Sequence, residues 1–482
     1  MITELEPRHV WNHFDKIRSI PRPSKHEQKI REHLLAWARE RGFETRVDKV
    51  GNTVVSVPAT KGHERAPILV LQAHMDMVCE KNADVNFDFS RDPIQLKIEG
   101  DWLHARGTTL GADNGIGMAS ALAIVDDPEA VHGPLEILIT VDEETGLTGA
   151  MELDPSMVKG RRLLNLDTEE LNAIYIGCSG GGNSEIRIPV TREDARPGAK
   201  FLEVRVTGLR GGHSGMDIVL QRGNAIQSLV RCIASAPEGS NVRLATIEGG
   251  SAHNAIPREA FAVVAVDAPA AGDFERAVRA EGATIAAELG AADPELTVGV
   301  APADAKKQRV LDAASQRRVI GALLAMPHGV AAMSLDVPGL VETSNNLAAV
   351  RSDDNSITIL VSVRSSIKSA LLALRNRVHS IAALAGGSVV DNPPYPGWKP
   401  DLKSEVLAAT QRVHERALGE KPELKAVHAG LECGVIGEKL PGMDMVSIGP
   451  WIESPHSPSE RVNIPSVATY WKFLKALVKE LG

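Results

Sequence analysis

Five short clusters of histidine and carboxylate side chains stand out along the 482-residue chain. They are Ala73-His74-Met75-Asp76, Gly111-Ala112-Asp113-Asn114, Val141-Asp142-Glu143-Glu144, Leu166-Asp167-Thr168-Glu169 and Ser454-Pro455-His456-Ser457. Imidazoles and carboxylates together form a donor set suited to Zn2+, with Co2+ or Mn2+ as substitutes. Two four-coordinate ions offer eight positions. With Asp113 bridging both and a shared water filling two more, four terminal ligands remain, and His74, Glu144, Asp167 and His456 supply that number. A metal pair about 3.5–4 Å apart lowers the pKa of its shared water and polarises a scissile carbonyl. Two of the acids left over have separate work. Asp76, two residues after His74, is placed to accept the other imidazole N–H and fix the ring. Glu143 adjoins Glu144 but stays free, so it can take a proton from the water as general base and deliver it to the leaving amine.

Each cluster alone has an ordinary explanation. A histidine at a strand end is commonly just hydrogen-bonded or exposed, Asp113 before Asn114-Gly115 passes for a helix N-cap, and Glu143-Glu144 for a solvated turn. What joins the clusters is their position. Residues 68–73, 135–141 and 162–166 are nearly continuous apolar runs, the pattern of strands buried on both faces, and 445–448 is a further strand. Another strand is expected at 53–57, and helices near 6–20, 25–42, 114–126, 401–418 and 465–481. The helix at 25–42 opens on Ser24 and Glu27, which fit a capping box. Alternating strands and helices imply an α/β fold, a mostly parallel mixed sheet flanked by helices. Such a sheet collects the residues at its carboxyl ends along one edge, where ligands gather.

The texture changes near residue 187. Strands at 201–206, 262–266, 343–350 and 356–364 mix with helices near 217–236, 273–289, 310–325 and 368–384, and Asn392-Pro393-Pro394-Tyr395-Pro396-Gly397 reads as an exit linker. The organisation expected is a catalytic domain in two parts, 1–186 and 391–482, interrupted by an inserted α+β domain at 187–390. Cys178-Ser179-Gly180-Gly181-Gly182 reads as the glycine-rich crossing between them, since no Lys-Ser/Thr follows the glycines as a phosphate loop requires. Lys306-Lys307 and Arg317-Arg318 read as solvated helix faces. A net charge of −9 argues against a nucleic-acid partner. No apolar run approaches the roughly 20 residues of a membrane span, and the N-terminus carries no signal-peptide pattern. The four cysteines, Cys79, Cys178, Cys232 and Cys433, lack CxxC spacing, so a reducing cytoplasm is the expected compartment.

These motifs in this order resemble the co-catalytic zinc peptidases that include glutamate carboxypeptidase, aminoacylase, tripeptide aminopeptidase and carnosinase. Gly211-Gly212-His213-Ser214-Gly215 and Ser251-Ala252-His253-Asn254-Ala255-Ile256-Pro257 in the insertion add to the likeness. Residues 107–117, His428-Ala429-Gly430-Leu431-Glu432-Cys433-Gly434 and Ser457-Pro458-Ser459-Glu460 resemble the aminoacyl-histidine dipeptidase branch. The resemblance implies two zinc ions per subunit: His74, Asp113 and Asp167 on one, and Asp113, Glu144 and His456 on the other. It assigns Asp76 to orienting His74 and Glu143 to the general base. It implies substrate contacts from His213, Asn254, Arg364 and a Gly430 backbone group, and a lid that also forms a homodimer. Asp at position 167 accompanies relatives that act near a free amino group. The expected activity is therefore hydrolysis of unblocked Xaa-His and related dipeptides, carnosine-like ones and Cys-Gly included. An aminoacylase or tripeptide aminopeptidase with the same metal site is the alternative, and a non-catalytic metal-binding scaffold a minor one.

Overall fold

The computed structural model describes residues 2–303 and 309–482. The chain divides into two compact units, Met1–Cys178 with Trp398–Ala426 and Leu431–Gly482, and Ser179–Gly397 with Val427–Gly430. The insertion therefore starts at Ser179 instead of 187 and ends at Gly397 instead of 390. The strand Gly180–Pro189 already pairs along its full length with Ser356–Ser365 of the second sheet, and Tyr395 pairs back onto Gly181. Val427–Gly430, read from the sequence as part of the catalytic half, groups with the second unit.

The first unit is built on four parallel strands, β1 (Leu69–His74), β2 (Leu135–Thr140), β3 (Arg162–Asn165) and β4 (Asp444–Ser447), in the order β2-β1-β3-β4. β1 and β2 are buried at every residue, which explains their unbroken apolar pattern. Thr53–Val57 extends the sheet antiparallel beyond β2, and Ala173–Cys178 antiparallel beyond β4. The helices α1 (Arg8–Arg18), α2 (Gln28–Glu40) and α3 (Ala112–Asp126) belong to this unit, as do Glu405–Leu418 and Ile464–Leu481. α3 reads ADNGIGMASALAIVD and is buried almost all round, the signature of a helix enclosed between other elements. It packs against α1 and β1. Its glycines allow the close approach: a Cβ on Gly117 would come 2.3 Å from the carbonyl oxygen of Leu166.

The capping box expected at Ser24 and Glu27 does not form. Glu27 is the N-cap of α2 but makes no side-chain cap bond. Its Oε1 instead accepts from the backbone of Lys25 at 2.8 Å and of Asp142 at 3.0 Å, while the Ser24 hydroxyl donates to Asp76 at 2.8 Å. Both residues are spent on the chain around the acidic clusters.

The second unit is an antiparallel nine-stranded sheet with Ala225–Ala234, Ala271–Leu289, Ala313–Ala325 and Lys368–Leu384 as its helices. Its apolar core is drawn from the sheet and all four helices. The helix expected over 217–236 is broken, because Gly223-Asn224 interrupts it: Asn224 Oδ1 accepts from Ile226 and Gln227 N–H at 3.0 and 3.2 Å and starts a new helix. Asp312 likewise caps the next helix, so the span from 310 begins as the strand Arg309–Leu311. Arg318 donates to the Pro189 and Ala385 carbonyls, so only Arg317 of that pair is a plainly solvated base. Lys306-Lys307 lies outside the described residues.

Asp126, the last residue of α3, ties three helices together. It accepts from His13 at 3.0 Å, Trp37 at 3.2 Å, and Arg41 at 2.7 and 2.8 Å. Burial alone would raise its pKa, but these donors outweigh burial and hold the carboxyl below the usual range. A depressed folded pKa means the contribution is complete above the unfolded value of about 3.9 and is lost as pH falls through the folded value. Asp126→Ala is expected to cost about 2–3 kcal/mol at pH 7, read as a lower urea midpoint at unchanged slope, with the difference from wild type shrinking at low pH.

Candidate metal centre

The carboxyl ends of β1, β2 and β3, the start of α3 and the segment that follows β4 bring the five ligand candidates together. His74 is the last residue of β1, Glu143-Glu144 follow β2, Asp167 follows β3, and His456 lies in the loop after β4. Asp113 is the second residue of α3, where its backbone is not yet helical, and the N-cap is Gly111. Its carboxylate does not cap the helix. Oδ1 lies 3.0 Å from His74 Nε2, and Oδ2 lies 3.1 Å from His456 Nε2. One carboxylate thus faces two imidazoles with separate oxygens. Asp167 Oδ1 approaches His74 Nε2 at 3.5 Å on one side, and Glu144 Oε2 approaches His456 Nε2 at 3.0 Å on the other. His74, Asp113 and Glu144 each place a ligand atom within 4.8 Å of the others.

Asp76 is fully buried and does more than the sequence suggests. Oδ1 lies 3.2 Å from His74 Nδ1, close but off the line of a good hydrogen bond. The same carboxylate accepts the backbone N–H of Glu143 at 3.0 Å and of Glu144 at 3.2 Å. It joins the end of β1 to the loop after β2. Burial opposes its charge, yet His74 and these donors bring its pKa down to about 2.

Three bracing residues escaped the sequence reading as functional groups. The buried Arg22 guanidinium donates to the Met75, Asp76 and Gly111 carbonyls at 3.1, 2.5 and 2.5 Å, fixing the turns that carry Asp76 and Asp113. The Glu460 carboxylate accepts from four consecutive backbone N–H groups, Leu110 to Asp113, at 2.7, 2.9, 2.8 and 3.3 Å. Glu460 stands four residues after His456, so it clamps the loop of one imidazole to the start of α3. Glu432 is 1% exposed and accepts from Gln72 at 2.6 Å and Thr140 at 2.8 Å. Glu460 and Glu432 lie in motifs already singled out. Nothing in the spacing of Pro21-Arg22-Pro23 links Arg22 to residues 76 or 111.

The charge balance fits a cation. Burial, with repulsion from neighbouring acids, pushes Asp167 up to about 7, and Glu169 and Glu432 up to about 8. His456 is raised to about 11 by its contacts to Asp113 and Glu144. Glu144 Oε1 is buried with no hydrogen-bond partner, an acceptor left for a ligand. Carboxylates and imidazoles crowded in this way suit a divalent ion.

The residues expected to touch substrate fall in the second unit. His213 closes the short strand Gly212–His213, pairs with Ala255, and accepts on Nδ1 from the N–H groups of Gly215 at 3.2 Å and Met216 at 3.1 Å. Arg364 is 6% exposed and donates to the Tyr395 hydroxyl at 2.8 Å. Asn254 is exposed, and its carbonyl accepts from Ser214 N–H at 2.8 Å. Gly430 is half-buried, beside Ala429, whose carbonyl accepts from Ser179. His428, unassigned from the sequence, is buried against Ser344 at 2.7 Å, and burial pushes its pKa down to about 3.

Residues 70–480 match the family described as Peptidase family M20/M25/M40. The chain belongs to this family. It is 42% identical over 480 residues to the cytosol non-specific dipeptidase of Escherichia coli (strain K12), covering 100% of this chain and 99% of that protein. The crystal structure of aminoacylhistidine dipeptidase from Vibrio alginolyticus matches at a TM-score of 0.95 and 43% identity, over 99% of this chain and 98% of that one. The aminopeptidase PepT of Bacillus cereus shares the fold at a TM-score of 0.57 and 17% identity, over 99% of both chains. The M20 chain described here is accordingly a metal-dependent peptidase with a mixed α/β fold. Among the described residues no helix is long and apolar enough to cross a membrane.

In this M20 chain, Glu460→Gln removes one carboxylate oxygen from the four-donor clamp while keeping the side chain's shape. The expected result is a folded protein that binds metal about 10–100-fold more weakly, measured by equilibrium dialysis against a competing chelator.

Proposed function

We propose that this chain is a di-zinc dipeptidase that hydrolyses unblocked Xaa-His and related dipeptides, including carnosine-like substrates and Cys-Gly. The observation that carries the reading is Asp113, which turns Oδ1 to His74 and Oδ2 to His456 as a bridging ligand would. His74, Asp113 and Asp167 would hold one ion, and Asp113, Glu144 and His456 the other. When bound, the pair supplies an activated water and polarises the scissile carbonyl.

The chain's own residues then divide the remaining work. Burial, with repulsion from Asp167, Glu144 and Glu432, raises Glu143 well above the ordinary carboxylate range despite the opposing pull of His74. A carboxyl tuned upward in this way can both accept a proton from water and return it to the leaving amine. Asp76, ionised and held by Ser24, keeps the His74 imidazole oriented. His213 uses Nδ1 as an acceptor, so the proton of the neutral ring sits on Nε2, ready to donate to the developing oxyanion. Burial and nearby Arg364 lower its pKa and favour that neutral form. Arg364 has no carboxylate partner among the described residues, and a buried guanidinium in that state suits the substrate's C-terminal carboxylate. Asn254 and the Gly430 backbone complete the substrate contacts, and Asp167 favours substrates with a free amino group.

The names of the two near relatives support the dipeptide substrate, and their full-length coverage supports carrying it over. We also propose a homodimer formed through the inserted unit; sedimentation showing only monomer at working concentration would remove it.

Metal-free protein is expected to be inactive and zinc-reloaded protein active on Ala-His, β-Ala-His and Cys-Gly, with a tripeptide and an N-acetyl amino acid uncleaved. Cleavage of the acetylated compound alone would replace the dipeptidase reading by an aminoacylase with the same centre. Glu143→Ala is expected to keep its bound metal and lose at least about 10²–10⁴-fold in kcat. Retained turnover would sink the general-base assignment.

A further inference from the structure

The three glycines that open the second unit have a purpose that the metal centre does not explain. Gly180, Gly181 and Gly182 stand opposite Ser365, Arg364 and Val363 in the antiparallel register. Directly opposed residues point their side chains to the same face of a sheet. At position 181 that face is taken by Tyr395. Gly181 and Tyr395 exchange backbone hydrogen bonds of 3.1 and 2.9 Å, and a Cβ on Gly181 would come 2.5 Å from the tyrosine oxygen and 2.7 Å from Cζ. The ring therefore lies over the glycine and reaches across to Arg364, whose Nη1 donates to the hydroxyl at 2.8 Å. The Asn392–Gly397 stretch, a linker by composition, is fastened here to the sheet.

That bond decides which edge of the guanidinium is committed. Nη1 is occupied by Tyr395, while Nε is buried and has no hydrogen-bond partner. A guanidinium binds a carboxylate best through two parallel N–H bonds from one edge, and an edge that includes Nε is left for it.

We propose that Tyr395 is a specificity-determining positioning residue, seated on Gly181, which fixes the plane of Arg364 so that its Nε edge grips the free carboxylate of a peptide substrate. This rests on the reading of Arg364 as the carboxylate site. Tyr395 acts through Arg364 and touches no reacting atom. Its removal changes binding of the carboxylate and leaves the bond-breaking step largely untouched.

The test uses full-length, zinc-loaded enzyme with a dipeptide and its C-terminal amide, each as substrate and as competitive inhibitor. Tyr395→Phe keeps the ring and removes one oxygen. It is expected to raise KM for the free acid about tenfold, with a much smaller change in kcat, and to leave the constants for the amide unchanged. Gly181→Ala, which forces the ring aside, should give the same pattern. Arg364→Ala should abolish the preference for acid over amide, and adding Tyr395→Phe to it should cost nothing more. Retained preference in Arg364→Ala would overturn the carboxylate reading and this inference with it. Lost preference in Arg364→Ala beside an unchanged KM in Tyr395→Phe would overturn this inference alone. So would an equal loss for acid and amide, or a fall in kcat with KM constant.

Discussion

The structure of the first unit turns on one carboxylate, Asp113, held between two imidazoles at an edge already crowded with acids. Buried charges of one sign repel strongly because little water screens them, and the free-energy cost is met only by an opposite charge or by protonation. Both responses are visible. Asp113 and Asp76 are kept ionised by their partners, with burial working against them, while Asp167, Glu169 and Glu432 are pushed toward neutral. Such a site cannot be held by its ligands alone. Arg22 grips the turns bearing Asp76 and Asp113 through their carbonyls, and Glu460 grips the start of α3 through its N–H groups. At the Gly111–Ala112 peptide they hold opposite ends of one dipole, Arg22 on the carbonyl and Glu460 on the N–H, and both side chains are buried.

The same logic continues one layer down. Gln72, Asn165 and Ser447 are register partners on β1, β3 and β4, two residues or less before the sheet's functional edge. Asn165 donates to Gln72 at 2.5 Å, Ser447 donates to Asn165, and Thr168 meets Ser447 at 2.7 Å. Glu432 closes the row at Gln72 and Thr140. A polar row in a sheet core favours the register that makes its bonds, and one oxygen of Glu432, Oε1, is buried without a partner. Because side chains alternate along a strand, Gln72 shares its face of β1 with His74, and Asn165 ends β3 two residues before Asp167. The row therefore fixes the lateral spacing at which those ligand-bearing strand ends stand.

Much of this was legible in the sequence because the chemistry sits at strand ends. Unbroken apolar runs announce parallel strands, and acids or histidines placed just after them must meet whatever the intervening loops do. The braces were harder to see. Arg22 and Glu460 act on backbone groups, which leave no trace in residue identity at the positions they hold. Ser24 and Glu27 fit a capping box by spacing, yet the buried Asp76 and the Asp142 backbone offered stronger demands than the helix end. The helix expected through 217–236 failed for a local reason, since Asn224 caps better than it propagates a helix. The domain limits moved because glycine and proline composition marks flexibility in a free chain, whereas here Gly180–Gly182 and Asn392–Gly397 are a paired edge.

The two units differ in the charges that they bury. The first concentrates acids and needs cations. In the second unit the imidazoles of His213, His253 and His428 are pushed toward neutral, by desolvation first and by the charge of Arg364 next. Imidazoles that stay neutral add no charge to that of the Arg364 guanidinium. The acid-rich edge of the first unit and the buried cation of the second are each assembled from residues in separate parts of the sequence that no single motif contains.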